Sequence, residues 1–236
     1  TDSTLLSKVQ KKKASYEKKM AKKGDVQGRK APIRPQAVAR AICRHATDSA
    51  IFIADTGEPP VWMARHIHMK GTRDFLMSFN HASMANAMPQ ALGAQALDKS
   101  RQVIALCGDG GFSMLMGDFI TAVTYDLPIK CIVFNNSKLG LVKMEMESMG
   151  YADWGIDLKN PNFADCGIAM GGKGIRIENP ADLDAGIKEA LAMDGPVVVD
   201  VVTDSNELTM PPEIMPARAW GFAISKIKEL VVSSSV

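Results

Sequence analysis

Short apolar runs alternate with stretches of helical periodicity along most of the chain. The runs are five to seven residues long and predict strands at 51–55, 74–79, 102–107, 129–135, 172–177 and 196–202. Apolar residues spaced three and four apart predict helices at 36–45, 83–97, 112–126, 138–147, 180–193 and 218–231. Because the strands are apolar on both faces, the pattern predicts an α/β fold: a doubly wound, mainly parallel six-stranded sheet with helices on both faces.

Polar residues and glycines stand at the carboxyl ends of four of these predicted strands. They occupy positions 55–57, 80–81, 108–110 and 135–136. In a parallel sheet the carboxyl ends of the strands meet at one edge, and ligands bind beyond that edge. The sequence therefore predicts a single binding rim built from four strand ends.

The motif Gly-Asp-Gly-Gly at 108–111 stands where a strand passes into a helix. Glycines let the backbone turn sharply and approach a ligand, and a helix N-terminus attracts an anion. Asp109 has the wrong charge for an anion, so the motif suggests a cation between Asp109 and a bound phosphate. Asn136, 27 positions later, ends the next strand, and carboxylate and amide oxygens suit Mg²⁺. On the residues alone, two alternatives are equally acceptable. The motif could be a tight surface turn with a solvated Asp109, and Asp109 and Asn136 could be unrelated polar residues of two loops.

Composition is that of a soluble globular protein, with 46% hydrophobic and 23% charged residues. Residues 1–30 hold ten Lys and Arg against three acidic residues, whereas the remainder is mildly acidic, so nothing favours nucleic acid. Residues 1–33 are expected to form a Lys-rich linker or a solvated helix, with the linker favoured, and 34–236 a single domain. The four cysteines stand singly, which indicates buried thiols in a reducing compartment.

Two other patterns point to chemistry only weakly. Ser113 in the stretch GFSML resembles a hydrolase nucleophile elbow, but Leu115 replaces the last glycine and no histidine follows. His66 and His68 are two positions apart and would point away from each other on a helix. They are expected to be ordinary surface histidines rather than metal ligands.

With GDG at 108–110 and NN at 135–136, the chain resembles the thiamine-diphosphate-dependent enzymes. The stretches SFNHASMANAMPQALGAQAL, CGDGGFSMLMGDF and LPIKCIVFNNSKLGLVKMEMESMGY are most similar to the bacterial pyruvate oxidases, which are flavin-containing, quinone-linked pyruvate dehydrogenases. The resemblance runs over about 34–223 and covers only the C-terminal, diphosphate-binding domain of that family. Since the chain begins at Thr1 and resembles neither the pyrimidine-binding nor the FAD-holding domain, we expect it to be part of a longer protein.

The resemblance also implies roles for individual residues. Mg²⁺ would be held by the Asp109 carboxylate, the Asn136 side-chain oxygen and the backbone carbonyl of Lys138. Met84 would lie under the cofactor and enforce its bent, catalytic conformation, and Glu58 stands where the family usually has a small hydroxyl residue. The implied cofactor-binding set is Gly57, Glu58, Ala82, Ser83, Met84, Asp109, Gly110, Gly111, Asn136, Ser137, Lys138, Leu139, Gly140, Leu141 and Val142.

The implied activity is the oxidative decarboxylation of pyruvate to acetate and CO₂. The cofactors would be thiamine diphosphate and Mg²⁺, with electrons passed to FAD in the full-length enzyme. Implied partners are pyruvate, the pyrimidine-binding and FAD-binding domains and further subunits of a homotetramer. The location would be cytoplasmic, with the full enzyme peripheral to the inner face of the membrane, and the chain alone is expected to be inactive. Alternatives are an acetolactate synthase, another 2-keto acid decarboxylase, or a non-catalytic cofactor-binding fragment.

Overall fold

A computed structural model describes residues 3–26, 30–207, 209 and 215–233 of the chain. The strands are β1 (Ile51–Ala54), β2 (Asp74–Met77), β3 (Val103–Gly108), β4 (Lys130–Asn135), β5 (Lys173–Ile177) and β6 (Val197–Val202). The helices are α1 (Ser3–Lys23), α2 (Pro35–His45), α3 (Pro59–His66), α4 (Ala87–Leu97), α5 (Asp109–Leu115), α6 (Phe119–Thr124), α7 (Gly140–Ser148), α8 (Phe163–Ala169), α9 (Leu183–Ala192) and α10 (Pro216–Ser233).

All six strands pair in parallel, in the order β2-β1-β3-β4-β6-β5. The chain leaves β1 for β2 on one side and returns to β3 on the other side. The connections at the carboxyl ends of β1 and β3 therefore diverge, and a crevice opens between them. The predicted sheet and its six strands are confirmed.

Helices cover both faces of the sheet, as the apolar strands predicted. In β3, Ile104 and Leu106 belong to one hydrophobic cluster, which also contains residues of α2, α3 and α9. Val103, Ala105 and Cys107 belong to a second cluster, formed with α4, α5, α6 and α8. Alternate side chains of one strand thus enter two separate cores, which is why the strands read as continuously apolar.

Two helices, α3 and α8, were not predicted from the sequence. Helix α3 has eight residues and begins with Pro59 and Pro60, which suit a first helical turn but conceal helical periodicity. Helix α8 has seven residues, and the side chain of Asn162 caps it by accepting hydrogen bonds from two backbone N–H groups. Both helices are too short for a periodic signal.

Two predicted helices have different limits. Helix α4 begins at Ala87 rather than at 83, because Ala82 and Ala85 have positive φ angles that a helix does not accommodate. The helix predicted over 112–126 begins at Asp109 and is interrupted by a 3₁₀ turn at Met116–Asp118. The early start places Asp109 in the first turn of α5.

The Lys-rich segment forms helix α1 over Ser3–Lys23. For these residues the solvated helix, one of the two predicted alternatives, is confirmed, and the preference for a linker was wrong. Its Lys, Ala, Leu and Gln residues are good helix formers, and it contains no glycine or proline. Most of its side chains are exposed, whereas Met20 is buried against the body. Residues 1, 2 and 27–29 of the predicted segment lie outside the described residues. Within the described part of the chain, no helix has the length and apolarity needed to cross a membrane.

Candidate functional site

Asp109 follows β3, and three hydrogen-bond donors hold its carboxylate. Oδ1 accepts from the backbone N–H of Gly110 at 2.8 Å, and Oδ2 accepts from the N–H of Ser137 at 2.7 Å and from Asn160 Nδ2 at 2.8 Å. The residue is only 3% exposed, and burial raises the pKa of the carboxyl to about 6. Asp109 is therefore a fixed, buried acid, which excludes the solvated surface turn.

Asn136 lies on the same rim, at the end of β4. Its Oδ1 accepts from the backbone N–H of Lys138 at 3.0 Å, and its Nδ2 donates to Glu58 Oε2 at 3.0 Å. Ser137, in the left-handed region with a φ of 56°, links Asn136 to Asp109 through its N–H group. The structure thus brings together the two side chains that the sequence paired by their spacing.

A chain of buried polar side chains supports Asp109 from behind. Asn160 Nδ2 donates to Asn135 Oδ1 at 2.9 Å as well as to Asp109, and Asn135 Nδ2 donates to Asp200 Oδ1 at 2.9 Å. Asp200 is fully buried in β6 and is paired with Arg176 on β5. These contacts fix the orientation of the rim by linking three neighbouring strands.

Sequence reasoning missed Asn160 and Asp200. Asp200 carried a usable signal, because a carboxylate inside the apolar run PVVVDVV requires buried partners. Asn160 carried none, since it lies in a loop 51 positions from Asp109.

Glu58 lies on the opposite side of the crevice, at the start of α3. Burial, and next the negative charge of Asp109, raise the pKa of its carboxyl to about 7. Its Oε1 atom is buried and has no hydrogen-bond partner among the described residues. A Cβ atom placed on Gly140 would lie 2.2 Å from Glu58 Oε2, so the carboxylate lies directly against the first turn of α7.

Asp55, at the end of β1, is a further fully buried acid, which belongs to the predicted rim but was not assigned to the cofactor site. Its Oδ1 accepts from the N–H of Thr56 at 2.9 Å and from Asn86 Nδ2 at 3.1 Å. It is 1% exposed, and burial raises the pKa of its carboxyl to about 6. Its Oδ2 has no partner in the described part of the chain and faces Gly111, where an added Cβ atom would lie 1.7 Å away.

A cavity of about 140 Å³ opens in front of these residues. Twelve of the fifteen predicted site residues line it: Gly57, Glu58, Met84, Asp109, Gly110, Gly111, Asn136, Lys138, Leu139, Gly140, Leu141 and Val142. Ala82 and Ser83 are exposed beside Met84, and Ser137 lies behind Asp109. The wall also includes residues that were not predicted: Pro35, Thr56, Pro59, Trp62, Gly108, Phe134, Thr203 and Asp204.

A family profile covers this region of the chain. The profile described as "Thiamine pyrophosphate enzyme, C-terminal TPP binding domain" matches residues 55–201. The chain belongs to this family. The match begins at the end of β1 and ends in β6, so it includes the rim and most of the cavity wall.

Curated relatives agree with this assignment. The chain is 40% identical over 197 residues to the "Putative thiamine pyrophosphate-containing protein YdaP" of Bacillus subtilis, a match that covers 84% of this chain and 34% of that protein. It is 30% identical over 184 residues to the mitochondrial acetolactate synthase catalytic subunit of Saccharomyces cerevisiae, covering 76% of this chain and 27% of the relative. A "Probable acetolactate synthase large subunit" of Methanococcus aeolicus is 30% identical over 190 residues, which are 77% of this chain and 32% of the relative. The matches therefore span between 27% and 34% of the length of these relatives.

The rim of this thiamine diphosphate-binding domain has the chemistry that a divalent cation requires. Asp109 and Asn136 present hard oxygen atoms, and each oxygen that accepts one hydrogen bond retains a further lone pair. The negative charge of Asp109 raises the pKa of the Glu58 carboxyl, and Glu58 Oε1 has no hydrogen-bond partner among the described residues. A cation here would relieve the repulsion between these two carboxylates, so the residues present fit Mg²⁺.

Two glycines of the motif, Gly110 and Gly111, are closely packed by their neighbours at the cavity. A Cβ atom on Gly110 would lie 3.1 Å from a methyl carbon of Leu139 and 3.3 Å from the methyl carbon of Met84. Met84 is 38% exposed and therefore reaches the cavity from the surface. The positive φ angles of Ala82 and Ala85 and a bond from Asn86 Nδ2 to the carbonyl of Ser83 hold its segment in a turn.

The weaker motifs do not form a second site. The Ser113 hydroxyl donates to the backbone carbonyl of Asp109 at 2.8 Å, which is a helix-internal bond and not that of an activated nucleophile. The prediction that His66 is a surface residue was wrong: it is 2% exposed, and burial, aided by nearby cations such as Arg40, lowers its pKa to about 4. His68 is exposed, as predicted.

Proposed function

We propose that this domain binds thiamine diphosphate through Mg²⁺ and that the protein carrying it decarboxylates a 2-keto acid, with pyruvate as substrate. The observation that carries the proposal is Asp109, a buried and fully oriented carboxylate facing a glycine-lined cavity in a chain of the thiamine diphosphate-binding family. When bound, the cofactor supplies a carbon nucleophile for the keto group and a sink for the electrons released with CO₂.

The residues of this chain would bind and orient the cofactor. The side-chain oxygens of Asp109 and Asn136 and the carbonyl of Lys138 would hold the metal. The N–H groups of Gly111 and of the start of α7 would hold diphosphate oxygens, because the first turns of helices have unpaired donors. The N–H of Gly110 donates to Asp109 Oδ1 and would join them only by giving up or sharing that bond. Met84 would support the cofactor from below and keep its two rings close together.

Two fates of the decarboxylated intermediate distinguish the candidate activities. The resemblance to pyruvate oxidases supports oxidation to acetate, with electrons passed to FAD in the full-length enzyme. The acetolactate synthases among the relatives support condensation with a second keto acid instead. Incubating the complete protein with pyruvate, and measuring acetate against acetolactate with and without FAD and a quinone, separates the two.

The exposed surface beside the cavity supports a role for a further domain. Ala82, Ser83 and Met84 are exposed, and Phe79, immediately before them, is 69% exposed. Phe75 on the edge strand β2 is also exposed. We propose that a pyrimidine-binding domain, from a neighbouring subunit of a homo-oligomer, covers this surface and completes the site. An exposed apolar edge strand requires such a cover.

The metal assignment is tested by calorimetry on the complete protein. Asp109→Ala should abolish Mg²⁺-dependent thiamine diphosphate binding, with a loss greater than the 10- to 100-fold typical of outer-shell changes. Asp109→Asn keeps the volume of the side chain, and Asp118→Ala removes an exposed acid on the same chain segment and should bind normally. Near-normal affinity in both Asp109 variants, with native circular dichroism, would refute the assignment.

A further inference from the structure

We propose that Glu58 is an internal competitor for the diphosphate site: its carboxylate occupies a position that a phosphate group of the ligand requires. The inference rests on the proposed function, and it concerns what this chain adds to that site. It makes Glu58 the residue that determines how strongly binding depends on the divalent cation.

The Glu58 carboxylate lies among groups that can bind a phosphate oxygen. Glu58 Oε2 accepts the hydrogen bond of Asn136 Nδ2 at 3.0 Å and lies so close to Gly140 that a single methyl group would not fit between them. A side-chain amide N–H and the first turn of a nine-residue helix are groups that bind a phosphate oxygen. Here the Glu58 carboxylate already accepts from that amide and lies against that turn.

The charged groups near Glu58 do not neutralise its carboxylate. Among the described residues, no cation lies within salt-bridge distance of its carboxylate. The nearest cationic influence is Lys143, whose ammonium group is bound to the carbonyl of Ser205 at 3.2 Å and to Asn206 Oδ1 at 3.1 Å. Asp109 adds a second negative charge on the opposite side of the cavity. A diphosphate that enters this cavity therefore meets two carboxylates. The described lysine in the cavity wall, Lys138, is already paired with Asp153 and Asp157.

Two consequences follow for ligand binding. The ligand must either displace Glu58 from Asn136 and Gly140 or remain beside it, and both reduce affinity. A divalent cation between the ligand and the two carboxylates offsets the repulsion, so binding should require more cation than the Asp109 site alone would need. Removing the charge of Glu58 should increase affinity and lower the Mg²⁺ concentration at half-saturation.

The test is a calorimetric titration of the complete protein at about pH 8, where a carboxyl group is normally ionised. The ligands are thiamine diphosphate and inorganic diphosphate, each over a series of Mg²⁺ concentrations. Glu58→Gln should bind both at least about tenfold more tightly, since repulsion between charges a few ångströms apart is equivalent to that factor or more. Glu145→Gln removes the same charge from an exposed position on α7 and should change affinity less than about twofold.

Different results would refute the role of Glu58 alone or the proposed function as a whole. If Glu58→Gln binds no more tightly than the unaltered protein, or if it requires more Mg²⁺, the competitor role is refuted, and weaker binding would indicate a metal ligand instead. Glu58→Thr removes both charge and reach and must agree with Glu58→Gln, which guards against a folding defect of one variant. If the unaltered protein, Glu58→Gln and Glu145→Gln all fail to bind, the proposed function fails and this inference with it. If the unaltered protein binds, Asp109→Asn does not, and Glu58→Gln shows no gain, only this inference fails.

Discussion

Replacing Gly111 by alanine would test how tightly the strand ends are packed. An added Cβ atom would lie 1.7 Å from Asp55 Oδ2 and 2.8 Å from Asp55 Cγ, distances at which atoms cannot coexist. It would also lie 3.2 Å from the backbone nitrogen of Ala85. Asp55 cannot simply rotate away, because the N–H of Thr56 and the amide of Asn86 hold its other oxygen. Either the carboxylate loses those bonds or the backbone moves.

The magnitude follows from these two alternatives. Overpacking of a buried position costs about 1–3 kcal/mol. Leaving buried donors and a carboxylate unsatisfied costs about 1–3 kcal/mol more. Alanine in a helix offsets about 0.5–1 kcal/mol of this, since glycine is the poorer helix former. We expect Gly111→Ala to lower the free energy of unfolding by about 2–4 kcal/mol, a large share of the roughly 5–15 kcal/mol of a typical domain.

Urea unfolding followed by circular dichroism measures this loss, and Gly93→Ala is the matched control. Gly93 lies inside α4, and nothing is within 4 Å of the position of its Cβ atom. The same substitution there should therefore stabilise the protein by about 0.5–1 kcal/mol. If Gly111→Ala lowers the free energy of unfolding and Gly93→Ala raises it, the loss at Gly111 comes from the contact with Asp55 and not from helix propensity.

A double-mutant cycle decides whether Asp55 is the cause. With Asp55→Ala the obstructing carboxylate is absent, so Gly111→Ala should cost at least about 1 kcal/mol less than in the unaltered protein. A Gly111→Ala variant as stable as the unaltered protein would show that the close approach is wrong. An equal cost in both backgrounds would place the strain elsewhere, for example at Ala85.

Two further predictions concern the other site residues. Burial raises the pKa of Asp55 in the folded state to about 6, above the 3.8 of an unburied aspartate, so its ionisation lowers the free energy of unfolding as pH rises through about 4–6. Asp55→Asn should remove this pH dependence. The difference in unfolding free energy between the unaltered protein and the variant should therefore change by up to about 3 kcal/mol over that range. Equal pH profiles of the two proteins would contradict the prediction. Met84→Ala should lower the turnover of the complete enzyme more than its affinity for thiamine diphosphate, since diphosphate and metal are held elsewhere. Unchanged turnover would mean that Met84 only fills space.

The periodicity of the sequence by itself determined the architecture. Local alternation between apolar runs and helical spacing was sufficient for all six strands, because buried parallel strands are apolar on both faces whatever they contact. The motifs GDG and NN were sufficient to place Asp109 and Asn136 on one rim, since both follow strands of the same parallel sheet. Helices α3 and α8 were not predicted, because they are too short to show a helical period.

Tertiary structure alone decided what surrounds those two residues. Asn160 meets Asp109 across 51 positions, and Glu58 meets Asn136 across 78 positions. No local pattern encodes such pairs, because they depend on the order of strands in the sheet and on the paths of the loops between them. Burial is decided in the same way: Asp55 and Glu58 read as ordinary polar residues at a strand end, and only the packed crevice removes water from them and raises the pKa of each.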